Sequence, residues 1–230
     1  YHEALRVHRS GSESLPIVIK RCERERPVVD GQYVLPHGTD YPAGCPGVLD
    51  GHPFECFRYD PLVGISASHV VLSGFEIRNS AGRCAQIYGS DGVTGATVRD
   101  NIIHDCRGDG IPTLQGSTNV AVEHNEIYHT NNFAPFSRGA RDLDWGAPAC
   151  VKASTEVVYR GNIFHENWGE GFISDCNTGN AGFVVLENNV WYDNYAITGP
   201  YIHATHDVVV RNNLIYCSPD PEYYRNGGPM

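Results

Sequence analysis

The clearest pattern in the chain is an eight-residue motif in which apolar and polar positions alternate and an asparagine follows at a fixed place. The motif reads apolar-x-apolar-x-x-Asn-x-apolar, and its copies begin at Ala96, Val120, Val157, Val184 and Val208. An earlier copy has Phe75 in place of the asparagine. Alternation with a period of two indicates β-strands rather than helices.

The spacing between copies gives the size of one repeat. The asparagines stand at 101, 125, 162, 189 and 213, so successive copies are 24, 37, 27 and 24 residues apart. A repeat of about 24 residues has room for about three short strands and three turns, and is too short for a crossover that contains a helix. The sequence therefore predicts an all-β fold, a single right-handed parallel β-helix in which each repeat forms one coil.

Stacked coils would place equivalent residues above one another and so form ladders of side chains. The asparagines should form one ladder at a turn, where their amides bond the backbone and each other. A second ladder should carry alternating charge, which is favourable between neighbouring strands: Ser73, Arg99, Glu123, Arg160, Glu187 and Arg211. A third should be a structural stack of rings: His104, Tyr128, His165, Tyr192 and Tyr216.

The repeat organises residues 1–230 as one β-helix domain. Residues 68–230 carry the regular coils, whereas residues 1–67 are less regular, with short apolar strands near 5–7, 17–19 and 28–29 and a Pro/Gly-rich segment at 35–60. Both ends lack a polar capping element, so we expect a chain truncated at each end. The long repeat between the second and third asparagines contains an insertion at about 130–149.

Composition and charge narrow the range of partners. The chain is 41% hydrophobic and has a formal net charge of −10 without a basic run. Nucleic acids and anionic membranes both require clustered positive charge, so neither is expected as a partner. No apolar run reaches the roughly 18 residues of a transmembrane helix, and we expect no membrane span.

Eight cysteines occur, none of them in a C-x-x-C pair, and they favour disulfides over a zinc or thioredoxin-like site. The candidate pairs are close in sequence: Cys45/Cys56, Cys84/Cys106 and Cys150/Cys176. Disulfides imply an oxidising compartment, so we expect an extracellular or cell-surface protein. The alternative is a cytosolic solenoid with buried free thiols.

Two sets of motifs resemble the pectate-lyase-like superfamily of right-handed parallel β-helix proteins. Gly-Asp-Gly-Ile at 108–111, followed by the coil at 117–128, looks like the generic repeat of that superfamily. The segments 1–3, 10–11, 16–19 and 27–31 are similar to the first coils of chondroitinase-B-like and alginate-lyase-like members. The resemblance covers nearly the whole chain and implies the fold, but the superfamily contains lyases, hydrolases, epimerases and adhesins.

The chain also departs from the catalytic patterns of these families. It lacks the adjacent aspartates, Gly-His-Gly and Arg-Ile-Lys of polygalacturonase-like hydrolases, and the paired Lys and Arg of chondroitinase-B-like lyases are not recognisable. No catalytic residue is therefore transferred from a family.

A polar row offers the first candidate chemistry. Elimination on a uronate needs a base for the C5 proton, a group that neutralises the carboxylate, and a proton donor for the leaving oxygen. Counting back from the apolar motif predicts one vertical row on an exposed strand face: Tyr88, Gln115, Lys152, Ser174 and His203. Lys152 and His203, about 10 Å apart, are the candidate catalytic residues, and Tyr88, Gln115 and Tyr201 the candidate substrate-binding ones. The alternative is a solvated polar face.

Two carboxylates offer a second candidate. Asp109 and Glu170 each follow a motif asparagine by eight residues, inside a Gly-Asp-Gly or Gly-Glu-Gly turn. At two coils' separation they would lie about 9–10 Å apart, within the range of the acid and base of an inverting glycosidase. Alternatively, these carboxylates bond local backbone amides.

The insertion supplies a third candidate, because long loops on rigid scaffolds often carry binding residues. Its aromatic and basic side chains suit sugar rings and uronates: Phe133, Phe136, Arg138, Arg141 and Trp145. Asp142 and Asp144 could hold Ca²⁺, although no EF-hand loop is present. The aromatic residues could equally cover a coil edge or form a subunit contact.

Two functions follow. The first is a secreted β-helix that binds or cleaves an acidic or neutral polysaccharide, with a uronate lyase as the specific enzyme. The second is a non-catalytic surface protein, or a filament-forming one that self-assembles through its solenoid.

Overall fold

The computed structural model describes residues 1–35, 60–131, 146–175, 181–195 and 197–217, and none of these residues lies in an α-helix. The described residues therefore contain no helix that could cross a membrane. They form 21 strands: β1 (Leu5–Val7), β2 (Ile17–Lys20), β3 (Val28–Asp30), β4 (Pro61–Ile65), β5 (Val70–Ser73), β6 (Glu76–Ser80), β7 (Arg83–Ile87), β8 (Thr97–Arg99), β9 (Ile102–Cys106), β10 (Ile111–Leu114), β11 (Thr118–Glu123), β12 (Glu126–Tyr128), β13 (Ala149–Lys152), β14 (Thr155–Arg160), β15 (Ile163–His165), β16 (Glu170–Asp175), β17 (Gly182–Glu187), β18 (Val190–Tyr192), β19 (Ile197–His203), β20 (His206–Arg211) and β21 (Leu214–Tyr216).

The strands form three parallel sheets of seven strands each. Sheet 1 contains β1, β4, β7, β10, β13, β16 and β19. Sheet 2 contains β2, β5, β8, β11, β14, β17 and β20, and sheet 3 contains β3, β6, β9, β12, β15, β18 and β21. Because each strand pairs with the strand three places later in the chain, three strands complete one coil, and the described residues make seven stacked coils. The predicted parallel β-helix is confirmed, including the three short strands of its first coil.

Alternation along each strand sends one set of side chains inward to a continuous core. The two apolar positions before each asparagine belong to sheet 2, where Val122 pairs with Tyr159 and Tyr159 with Leu186, all fully buried. The apolar position after the asparagine belongs to sheet 3, where Phe164 and Trp191 stack with ring centroids 5.3 Å apart. The eight-residue motif therefore contains the end of a sheet 2 strand, the corner between sheets 2 and 3, and the start of a sheet 3 strand.

The predicted asparagine ladder occupies that corner. Asn162 donates from Nδ2 to the carbonyl of Val122 (2.8 Å) and to Oδ1 of Asn189 (3.1 Å), and its own Oδ1 accepts from the backbone N–H of Asn125 (3.0 Å). The same contacts recur from coil to coil. Phe75, which stands in the asparagine place, still donates its backbone N–H to Asn101 Oδ1 (2.9 Å).

A second, shorter amide ladder lies at the corner between sheets 3 and 1, and the sequence reading missed it. Asn167 accepts from the backbone N–H of Thr130 (3.1 Å) and donates to the carbonyl of Ile127 (3.0 Å) and to Asn194 Oδ1 (3.0 Å). The sequence contains a spacing that would have predicted this ladder: Thr130, Asn167 and Asn194 each follow a motif asparagine by five residues.

The charge ladder on sheet 2 is confirmed by its register and its ion pairs. Arg99 pairs with Glu123, Glu123 with Arg160, and Arg160 with Glu187. The Arg160 guanidinium reaches both neighbours, at 2.9 Å from Glu123 and 2.5 Å from Glu187. The alternation of sign along the sequence thus becomes attraction between adjacent coils.

One predicted disulfide is confirmed. Cys84 and Cys106 are bonded and join the sheet 1 and sheet 3 strands of the third coil, β7 and β9. The other predicted pairs include Cys45, Cys56 and Cys176, which lie outside the described residues.

Candidate functional site on sheet 1

The outward face of sheet 1 carries most of the predicted polar row. Lys152, at the end of β13, pairs with Leu114 in the coil below. The register of β13 against β16 puts Lys152 beside Asp175, and Asp175 pairs with His203. Lys152 and His203 therefore share one row with a single coil between them, and two strand spacings separate their strands by about 10 Å. Tyr88 lies in the same row, next to Leu114.

Gln115 lies one residue away from this row, within the precision of one or two residues that counting from the motif allows, and Leu114 occupies the row instead. The turn after β10 spans 114–118, whereas the turn after β13 spans 152–155, so the fourth coil has one additional turn residue. Gln115 lies in this turn, is exposed and adopts a left-handed conformation with a φ of 58°. Counting back from the motif could not detect a turn of different length.

Ser174 was also placed one residue away from its position. It pairs with Val151, which faces the core, and is fully buried. Its hydroxyl lies 2.7 Å from the hydroxyl of Thr205. Ser174 is thus an interior residue and does not belong to the outward row.

An apolar cluster lies beside Lys152 on the same face. It consists of Leu114, Ala147, Cys150 and Ile173, with Tyr88 and Tyr201 packed against it. Tyr201 pairs with Ile173, and its ring is parallel to the His203 ring with centroids 5.9 Å apart. The structure therefore places Lys152, His203 and both predicted tyrosines on one face, beside a small apolar cluster.

Asp109 and Glu170 occupy the predicted common row, on either side of Ala147, but both are buried. Asp109 Oδ2 lies 2.8 Å from Arg83 Nε, and Asp109 Oδ1 accepts from the Ala147 backbone N–H (3.3 Å). The backbone N–H of Glu170 donates to the carbonyl of Gly146 (3.1 Å). Asp109 thus bonds a guanidinium and a backbone amide of the two neighbouring coils, and not the local backbone amides of the alternative interpretation.

Arg83 is the residue that the sequence reading missed at this corner. Its guanidinium is buried, and besides Asp109 it donates from Nη1 to Gln86 Oε1 (2.8 Å). Arg83 precedes Asp109 by 26 residues, the length of one coil, so the pair could have been found by the same spacing as the charge ladder.

The predicted binding residues of the insertion lie outside the described residues: Phe133, Phe136, Arg138, Arg141, Asp142, Asp144 and Trp145. Among the residues that the structure describes, no three His, Cys, Asp or Glu side chains are arranged to hold a metal ion. The calcium site expected at Asp142 and Asp144 thus stays a prediction.

Three parallel sheets, amide ladders and a polar row on an outward face define the class of parallel β-helix proteins. A family model described as "Right handed beta helix region" matches residues 62–223, and the chain belongs to this family. The match also gives the handedness predicted from the sequence. No curated protein matches the chain.

Among solved structures, the chain is similar to an alginate lyase from Paenibacillus sp. str. FPU-7, with a TM-score of 0.58, 15% identity, and coverage of 90% of this chain and 63% of that one. It is also similar to a mutant of the periplasmic alginate epimerase AlgG, with a TM-score of 0.50, 11% identity, and coverage of 68% and 42%. Pectate lyase Pel9A gives a TM-score of 0.49 at 12% identity, with coverage of 95% and 65%. At these identities the likeness shows the fold, and the chain spans under two thirds of the length of each structure.

Proposed function

We propose that the chain is a carbohydrate-active β-helix that binds an acidic polysaccharide on the outward face of sheet 1 and cleaves it as a uronate lyase. The observation that carries the proposal is the position of Lys152, a half-buried cation that shares this face with Tyr88, Tyr201 and His203. The alginate lyase and alginate epimerase to which the fold is similar act on a polysaccharide built from uronates, which supports the same substrate class.

The proposed reaction is an elimination, and each residue can be given a role. A base takes the C5 proton, the C4–O bond breaks, a C4–C5 double bond forms, and the leaving oxygen receives a proton. Lys152 would neutralise the uronate carboxylate or act as the base. The stacked pair Tyr201 and His203 would bind the neighbouring sugar and supply the proton.

The test exploits the fact that the whole chain contains two lysines, Lys20 and Lys152. The protein is incubated with alginate, pectate and chondroitin, and the ultraviolet absorbance of unsaturated uronate ends is followed. We expect product from at least one polymer, and a loss of at least about 100-fold in Lys152→Ala, the usual scale for removing an acid–base group. Lys152→Arg separates the two roles, because it keeps the charge but cannot act as a base.

Lys20→Ala is the matched control, because Lys20 lies in β2 of sheet 2, away from the proposed site. It should retain full activity. If Lys152→Ala were as active as the Lys20→Ala control, the assignment of the site would be wrong.

The non-catalytic alternative is distinguished in the same experiment. Absence of product and of binding on the whole panel of acidic glycans, together with ordered self-association in light scattering, would favour a surface or filament-forming protein.

We also propose that the protein works in an oxidising compartment, outside the cytosol. The bonded pair Cys84 and Cys106 supports this proposal, since cytosolic thiols are kept reduced. Peptide mapping of the protein from its natural source should recover the two cysteines as one disulfide-linked pair; recovery of both as thiols would contradict it.

A further inference from the structure

A stack of aromatic rings runs along the outward face of sheet 3, on a different sheet from the proposed substrate site. The rings of His104, Tyr128, His165 and Tyr192 are nearly parallel, with successive centroids 4.7, 4.9 and 4.8 Å apart. The register of β9, β12, β15 and β18 confirms the ring ladder predicted from the sequence. Histidine and tyrosine alternate along it, so each imidazole stacks on a tyrosine.

Both nitrogens of each stacked imidazole face a carboxylate. His104 Nδ1 lies 2.7 Å from Asp105 and its Nε2 lies 3.4 Å from Glu76 in the coil below. A neutral imidazole carries one N–H, so both contacts are hydrogen bonds only when both nitrogens are protonated.

His165 repeats this arrangement two coils further on. Its Nδ1 lies 2.9 Å from Glu166 and its Nε2 lies 3.3 Å from Glu126, again one carboxylate from its own coil and one from the coil below. Recurrence of the same geometry shows that the pattern belongs to the repeat and not to a single contact.

His129 lies between the carboxylate partner of His104 and that of His165. Its Nδ1 lies 3.4 Å from Asp105 Oδ1 and its Nε2 lies 4.0 Å from Glu166 Oε2. Asp105, His129 and Glu166 occupy the same turn position in successive coils, and all three are left-handed, with φ of 54°, 49° and 51°. This shared conformation places the side chains one above another.

The result is a continuous imidazole–carboxylate chain of seven side chains across four coils: Glu76, His104, Asp105, His129, Glu166, His165 and Glu126. Other charged or titratable groups of the described residues also face it. Arg78 binds Glu76 at 2.7 Å and Asp30 at 2.9 Å, Asp193 occupies the same turn position as Glu166 in the next coil, and the tyrosines of the stack lie between the imidazoles. Burial, followed by the nearby carboxylates, raises the pKa of Tyr128 and of Tyr192, so both remain neutral.

We propose that this imidazole–carboxylate chain is a pH-sensitive latch, which ties the third to fifth coils together when His129 is protonated and loosens as His129 loses its proton. Protonated His129 lies between the carboxylates of Asp105 and Glu166, whereas at higher pH these two carboxylates face a neutral ring and repel one another.

The direction of the pH effect follows from the contacts of His129. The hydrogen bond to Asp105 raises the pKa of His129, and the bonds from His104 and His129 hold the pKa of Asp105 far below its usual range. A histidine with a raised folded-state pKa stabilises the fold fully below its unfolded value of about 6.5, and this contribution is lost as the pH rises through the folded value. The lowered pKa of Asp105 keeps its carboxylate ionised at mildly acidic pH, so the latch is strongest below about pH 6.5.

Chemical denaturation between pH 5 and 8.5 tests the proposal in His129→Gln, which changes a half-exposed side chain and should still fold. We expect the unfolding constant of the wild type to rise with pH, by up to about tenfold per pH unit for each linked proton. The rise should be clearly smaller in His129→Gln. Asp105→Asn should reduce it at least as much, because Asp105 serves both His104 and His129.

His206→Gln is the matched control. His206 also bonds the carboxylate that follows it, Asp207 at 2.7 Å, but it is exposed and lies on sheet 2. It should keep the wild-type pH dependence. The proposal is overturned if His129→Gln and Asp105→Asn keep the wild-type slope, or if His206→Gln flattens the slope equally. A nuclear magnetic resonance titration of the His129 ring gives a second readout, and a value at or below that of an unfolded histidine would also overturn the proposal.

Discussion

At the scale of single residues, the buried asparagines hold the coils in register. Each ladder amide satisfies backbone groups at a corner where the strands have ended and no sheet partner is available. Asn162 is the central example, because it contacts Asn125 in the coil below and Asn189 in the coil above and is fully buried. A side chain that could not both donate and accept would leave these groups unpaired.

Asn162→Ala should therefore destabilise the protein strongly. It leaves the carbonyl of Val122 and the backbone N–H of Asn125 without partners, at a cost of about 1–3 kcal/mol for each buried group. Chemical denaturation measures the loss. Asn213→Ala in the last described coil should cost less, because Asn213 is partly exposed; equal losses in the two variants would contradict the argument.

At the scale of elements, sheet 2 is held on its outer face by the charge ladder. Glu187 accepts from Arg160 and Arg211, and these two guanidinium groups lower its pKa. A carboxyl with a lowered folded-state pKa stabilises the fold above its unfolded value of about 4.3, and this contribution is lost as the pH falls through the folded value. The ladder and the imidazole–carboxylate chain therefore work together at mildly acidic pH.

Arg160→Ala should lower the thermal unfolding temperature at pH 7, because it breaks two contacts between coils, and high salt should shrink the difference from wild type. Differential scanning calorimetry at low and high ionic strength measures both effects. Arg99→Ala is the comparison: Arg99 lies 3.9 Å from Asp100 of its own coil, and its removal should have a smaller effect. A salt-independent loss in Arg160→Ala would indicate packing rather than charge.

At the scale of the whole molecule, the stack of coils is reinforced by the Cys84–Cys106 bond, which closes a loop with a sequence separation of 22 residues. A crosslink of this span stabilises a fold by about 3 kcal/mol, largely by restricting the unfolded chain. The double variant Cys84→Ala/Cys106→Ala should lose about that much in denaturant titrations. Cys22→Ala, at an exposed cysteine without a disulfide, should be close to wild type; if reductant left the wild-type titration unchanged, the bond would not be contributing.

The sequence alone determined the class of fold, the asparagine corner, the charge ladder and the ring ladder. This was possible because the coils stack in parallel and in register. Residues that are one coil apart in the sequence therefore contact each other in adjacent coils. Lys152, His203 and Tyr88 were brought to one row by this logic.

The tertiary structure decided what happens where the coils are not identical. Gln115 left the predicted row because one turn is a residue longer, and Asp109 proved to be held by Arg83 inside the corner. His129 joined its neighbours through a left-handed turn that recurs in five described coils. Turn length and turn conformation depend on packing against the coils above and below, and the hydrophobic periodicity of the sequence does not predict them.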